Sequence, residues 1–186
     1  AEFKRFSSTF QINETQIAVH LDVGFFNIQT QHHDFTEIQF KLIQGDFKTF
    51  IDFILPRLQR YGLWFDCRNK AQICYALAQD QRVQVQTKLQ LKTKNKTEHA
   101  IQHMLDNTLQ HLLPNSSAIA SGHFNDEHVH QARVAIRRIR SILKTFSKWS
   151  KHIDATWETK FANIFRQLGT QRDLDMIENS ILPQLE

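Results

Sequence analysis

The sequence predicts an α+β protein, an antiparallel β meander followed by an antiparallel α-helical bundle, on three observations. Up to about residue 43 the apolar residues recur with a period of two, and from Glu98 onward they recur near every third or fourth position. Between the two regimes lies QRVQVQTKLQLKTKNKT, residues 81–97, polar and repetitive in Gln and Lys, which reads as a linker with room for one extended stretch. The expected division is a β domain over 1–80, the linker over 81–97 and the helical bundle over 98–186.

The strands are justified by alternation. In TQIAVHLDV the side chains of Ile17, Val19, Leu21 and Val23 fall on one face, opposite Gln16, Ala18, His20 and Asp22. In TEIQFKL the same holds for Ile38, Phe40 and Leu42 against Glu37, Gln39 and Lys41. With turns at Asn13-Glu14 and Gly24, this gives four strands over about 5–12, 16–23, 25–30 and 35–43. Four strands with one polar face can neither close a barrel nor shield that face from water, which, with a first residue that is not methionine, predicts a fragment of a larger sheet. A helix then follows Gly45. Asp46 is placed to cap it, Phe47, Phe50, Phe53, Ile54 and Leu58 lie near helical spacing, Pro56 kinks it, and Gly62 lies past its end. WFDCRNKAQICYALA reads as one more short strand and a connector.

Beyond the linker, helices are expected over about 98–113, 126–151, 155–168 and 173–185, punctuated by Pro114, Ser121-Gly122, Gly169 and Pro183. Connections this short between helices imply antiparallel neighbours.

Composition narrows the function classes. The apolar fraction of 41% is that of a folded chain with a real core. Cys67 and Cys74 are too far apart for a redox pair and too few for a zinc site, which predicts reduced structural thiols and a cytoplasmic setting. No apolar run is long enough to span a bilayer, so no membrane partner is expected. Charge is unevenly distributed: residues 1–80 carry 8 basic and 9 acidic side chains, and residues 81–186 carry 15 and 10.

Most of that excess converges on HVHQARVAIRRIRSILK, residues 128–144, and no Asp or Glu occurs from His128 through Ile153. At about 100° per residue, His130, Arg133, Arg137, Arg140, Lys144, Lys148 and Lys151 share an arc of roughly 80°. Val129, Ala132, Ala135, Ile136, Ile139, Ile142, Leu143, Phe146 and Trp149 take the opposed arc, and Val134 and Arg138 fall between the two. A merely solvated face usually mixes signs at i,i+4 spacing, because like charges there repel by a few tenths of a kcal/mol per pair. A helix with only like-charged pairs points to a polyanionic partner, with arginine forks suited to phosphate oxygens.

Other chemistry is weakly indicated. In SGHFNDEHVH, His128 and His130 are two apart and diverge by about 200° on a helix. His99 and His103 have i,i+4 spacing but no evident third ligand. Neither group predicts a metal centre. No Gly-rich phosphate loop, nucleophile elbow or Ser-His-Asp signature is present. The Phe-rich elements over 25–53 fall on the buried phase, and no aromatics interleave with the cations as a base-stacking surface would need.

HVHQARVAIRRIRSILKTF followed by LGTQRDLDMI resembles the CHAD (conserved-histidine α-helical) domain, whose hallmarks are His-x-x-Arg-Val-x-x-Arg-Arg-x-Arg and a later Leu-Gly-x-x-Arg-Asp-x-Asp. His130, Arg133, Arg137, Arg138 and Arg140 match the first motif, and Arg172, Asp173 and Asp175 the second. The resemblance implies the first half of a two-part helical bundle that binds inorganic polyphosphate in a basic channel. Lys144 and Lys148 extend the site, and His111 and Lys160 are further candidates. LDVG at 21–24, EIQFKL at 37–42 and NKAQICYAL at 69–77 resemble the closing part of the CYTH, or triphosphate tunnel, barrel. That likeness implies a partial tunnel barrel and, in a full-length protein, an inorganic triphosphatase using Mg2+ or Mn2+. The sequence departs from it where chemistry depends on acids. The opening Glu-x-Glu-x-Lys strand is missing, Ala18, Gln39 and Lys41 stand where carboxylates are expected, and Glu37 is left as the one metal-ligand candidate there. The expected function is polyphosphate or similar polyanion binding without catalysis by this segment. The alternatives are a metal-dependent triphosphatase and nucleic-acid binding.

Overall fold

The computed structural model describes residues 2–28, 30–78, 83–90 and 96–176, with 170–176 placed by their helical backbone alone. It resolves into two compact units, Ala1–Phe65 with Lys70–Asp80, and Asp66–Asn69 with Gln81–Glu186. The chain is α+β: a three-stranded antiparallel sheet followed by five helices.

The first unit holds β1 (Glu2–Ile12), β2 (Thr15–Ile28) and β3 (Gln31–Gln44), hydrogen-bonded in that order into an open sheet. Asn13, at a left-handed φ of 51°, makes the tight turn between β1 and β2. The expected break at Gly24 is absent, and the two segments around it form one continuous strand. Gly24 pairs with Phe3 on one side and Phe35 on the other. A Cβ there would lie 2.1 Å from the Glu2 carbonyl oxygen and 2.5 Å from Phe3 Cα, so this glycine permits close approach of β1 rather than a turn. Four expected strands thus become three.

Register sorts the sheet into two faces. Phe6, Leu21 and Ile38 share one face, as do Phe10 and Ile17. Helix α1 (Phe47–Tyr61) lies on it, with Phe53 buried against Phe10 and Phe40 at ring separations of 5.3 and 6.2 Å. Asp46 caps that helix by accepting from Thr49 N, and Gly62 ends it, both as expected. The stretch from 63 to 69 is irregular, and α2 (Lys70–Ala78) follows, in place of the expected strand and connector. Ala71, Gln72, Ala76, Leu77 and Ala78 favour helix, and helix propensity prevails where no alternation is present.

The second unit is built from α3 (Thr97–Ala120), α4 (Asp126–Phe146) and α5 (Thr156–Met176), with α4 packed on both others. Both pairs are antiparallel: His111 meets Gln131 across α3 and α4, and Arg140 meets Glu158 across α4 and α5. Leu112, Ala132, Ala135, Ile136, Ile139 and Leu143 form the core, with Leu105, Leu109, Phe161, Phe165 and Leu168 packed around it. The buried arc expected on α4 is therefore the core stripe as far as Leu143.

Three expected boundaries move. Helix α3 runs through Pro114 to Ala120, with Asn115 anchored just beyond the proline by Nδ2 donating to Gln84 O (2.9 Å) and His111 O (2.8 Å). Helix α5 runs through Gly169. Helix α4 stops at Phe146 rather than near 151, where Ser147 and Ser150 are poor helix formers and Trp149 N donates to Phe146 O in a turn. Of the helix expected over 173–185, α5 includes the part up to Met176, and 177–186 lie outside the described residues. Among the described residues no helix is long and apolar enough to cross a membrane.

Candidate functional site

Helix α4 is started by a reciprocal cap. Asn125 Oδ1 accepts from His128 N, His128 Nδ1 accepts from Asn125 N, and Asp126 and Glu127 sit at the positive end of the helix dipole. Asn125 is therefore the cap, and His128 is buried by this role.

The cationic arc on α4 is not uniformly wet. Relative to His130, Arg137 and Lys144 lie at about −20° and −40° and are exposed, while Arg133 and Arg140 lie at about −60° and −80°, beside the buried residues that face α5. Arg133 Nη1 donates to Phe165 O (3.3 Å), and its guanidinium lies 4.4 Å from the Phe165 ring centroid. The same nitrogen occupies the space above Gly169, 2.7 Å from where a Cβ would stand. Arg140 donates from Nε and Nη2 to Glu158 Oε1 at 2.9 and 2.8 Å, with both side chains about one-third exposed (33% and 34%). The arc thus divides into a wet pair and a pair already engaged by α5. The expectation that these cations form one open ridge is corrected to that extent.

Arg138 faces the other way, toward α3. Its Nη1 is buried with no hydrogen-bond acceptor among the described residues, and the side chain lines a cavity of about 170 Å³ with Met104, Asn107, Thr108 and Ser141. His111, considered above as a surface helper, is buried one turn away on α3. Gln131 donates from Nε2 to Glu127 Oε1, so its carbonyl oxygen accepts from His111 Nε2 (2.8 Å) and Nδ1 is left bare. Burial first, and the nearby Arg138 charge second, hold His111 below the ordinary imidazole range, against the upward pull of the Gln131 bond.

His130 is half-buried, and Lys148 and Lys151 are exposed in the turns after the helix end. Among the described residues no acidic side chain pairs with Arg137, Lys144 or Lys148. Lys160 is exposed on α5. Arg172, Asp173 and Asp175 fall on the α5 backbone, with side chains outside the described residues. Glu158 and Phe165 were not singled out from sequence. Folding residues 147–155 into a hairpin connection brings 140 opposite the start of α5, and that arithmetic was the available signal.

The sheet carries a second polar constellation. Asp22, fully buried, accepts from Arg5 Nε and Nη2 and from Lys70 Nζ, each at 2.7 Å. Lys70 Nζ also donates to Glu37 Oε2 (2.7 Å), and Gln39 Nε2 donates to Glu37 Oε1. The Arg5 guanidinium, then Lys70, hold the Asp22 carboxyl far below the usual carboxylate range. Glu37, the candidate metal ligand, is thereby bridged to Asp22 by an ammonium. Among the described residues no group of three His, Cys, Asp or Glu is placed to hold a metal ion. Asp22 and Lys70 were missed because Asp22 reads as an ordinary outward residue until α2 covers it.

No curated protein sequence matches the chain. The family model described as the CHAD domain matches residues 103–186, a span that contains most of α3 and all of α4 and α5. The helical region from residue 103 to residue 186, with the cations of α4 inside it, is similar to the CHAD domain family.

Proposed function

We propose that the helical region binds inorganic polyphosphate, or a polyanion of like charge density, without chemistry of its own. The observation that carries this reading is the pair Arg137 and Lys144, exposed on one face of α4 with no acidic partner among the described residues, followed by exposed Lys148. The match of residues 103–186 to the CHAD family model supports it. His130, Arg133 and Arg140 flank that face, and Arg138 and Arg172 are the further residues proposed for the set. Each phosphate contact releases counterions, so affinity falls steeply with salt. The test is binding of polyphosphate by Arg137→Glu/Lys144→Glu beside Lys92→Glu/Lys94→Glu. The helix pair should lose far more affinity, and equal losses would mean that only net charge counts.

A second reading attaches to the sheet. We propose that the first unit is part of a triphosphate tunnel (CYTH) fold, supported by its polar face bearing Arg5, Asp22, Glu37 and Lys70. Both acids are already neutralised by protein cations, which disfavours a hard metal ion between them. The chain is expected not to release phosphate from tripolyphosphate with Mg2+ or Mn2+, and metal-dependent turnover would overturn that expectation.

A further inference from the structure

The early end of α4 has an outcome at the surface. Had the helix continued, Trp149 would have stayed on the arc that α4 buries. Instead the turn after Phe146 leaves the indole 68% exposed, the most exposed large apolar side chain among the described residues. Phe146 supports it from one side in an edge-to-face contact, with ring centroids 6.4 Å apart. Lys144, Lys148 and Lys151, all exposed, flank it in sequence, so the expectation that no aromatic interleaves with the cations is corrected at this position. The next two acids in sequence are occupied: Asp154 accepts from Thr156 N (2.7 Å) and Glu158 holds Arg140.

We propose that this end of α4 is a binding surface for single-stranded nucleic acid, with Trp149 as the stacking platform for a base and Lys144, Lys148 and Lys151 as contacts to its phosphates. An inorganic polyanion has no apolar face with which to cover an indole, whereas every nucleobase has one, and this combination of cations and an open aromatic suits strand binding without sequence preference. A lipid surface fits less well, because the sequence neighbours of Trp149 other than Phe146 are Thr145, Ser147, Lys148, Ser150 and Lys151, with no broad apolar run. The surface shares Lys144 and Lys148 with the one assigned above to polyphosphate, and Trp149, which no inorganic polyanion needs, is what makes it a separate assignment.

The experiment compares Trp149→Ala and Trp149→Phe with the unaltered chain for a fluorescent oligothymidylate, for polyphosphate and for phosphatidylserine vesicles, at fixed salt. An indole this exposed contributes little to the core, so both variants fold, and thermal melts verify it. Trp149→Ala should weaken oligothymidylate binding at least about five-fold, Trp149→Phe should retain most of it, and polyphosphate affinity should stay within about two-fold. The proposal is overturned by unaltered oligothymidylate binding in Trp149→Ala, by no such binding in the parent chain, by an equal loss for polyphosphate, or by a loss confined to vesicles. Failure of the polyphosphate reading would look different, since polyphosphate would then not bind at all while the Trp149-dependent signal persisted.

Discussion

Arg140 provides the sharpest test of how α5 modulates the cationic face. Its guanidinium is held by Glu158 through two hydrogen bonds of 2.9 and 2.8 Å to one carboxylate oxygen. With both partners about one-third exposed, such a pair is worth at most about 1 kcal/mol. A polyanion that recruits Arg140 must open the pair, so Glu158→Gln should raise polyphosphate affinity by up to about five-fold, the equivalent of that energy. It should also steepen the dependence of log K on log salt by about 0.7, the increment for one more phosphate contact on a flexible strand. Arg137→Gln should shift that slope by a similar amount in the opposite direction. Fluorescence anisotropy across a salt series reads both quantities, and adding Arg140→Gln to Glu158→Gln should return affinity to the parent value or below. If Glu158→Gln leaves affinity and slope unchanged while Arg137→Gln reduces both, Arg140 does not reach the ligand and its place in the proposed binding set is wrong.

Two further outcomes concern stability. Asp22→Asn should destabilise the first unit by about 1.5–3 kcal/mol, since it removes the anion that two charged donors share; circular-dichroism melts measure it, and an unchanged midpoint would refute the role given to the network. His111 is held below its ordinary value in the folded chain, so the unfolded chain takes up the proton first. Stability of the helical unit should therefore be complete above about pH 6.5 and fall as pH drops below it, a decline that His111→Gln should flatten.

The sequence was most legible where one strong periodicity met one clear stop. Helix α1, with Asp46 before it and Gly62 after it, and the apolar stripe of α4 from Val129 to Leu143 are of this kind. It misled where one residue type has two physical uses. Gly24 permits close strand approach as readily as it makes a turn, and Pro114 and Gly169 are tolerated inside helices whose neighbours hold them. The cations of the site were legible because like-charge spacing is a local property. Their partners were not, because Glu158 and Phe165 become neighbours of α4 only once the hairpin has formed. Asp22 was hidden for a related reason. One of its partners is Lys70, 48 positions away, on a segment that reads as a short strand and a connector.

The fit of Arg133 over Gly169 bears on how the two helices find their mutual setting. A glycine inside a helix costs about 1 kcal/mol relative to alanine, so the gap above it represents stability forgone. Rows of leucine and isoleucine are nearly periodic, and two such surfaces can slide by a turn and still mesh. A charged fork seated in a single notch cannot. The notch favours the offset at which Arg133 reaches Phe165 O, and an alanine at 169 should yield a stiffer helix from which that flexible guanidinium has to withdraw.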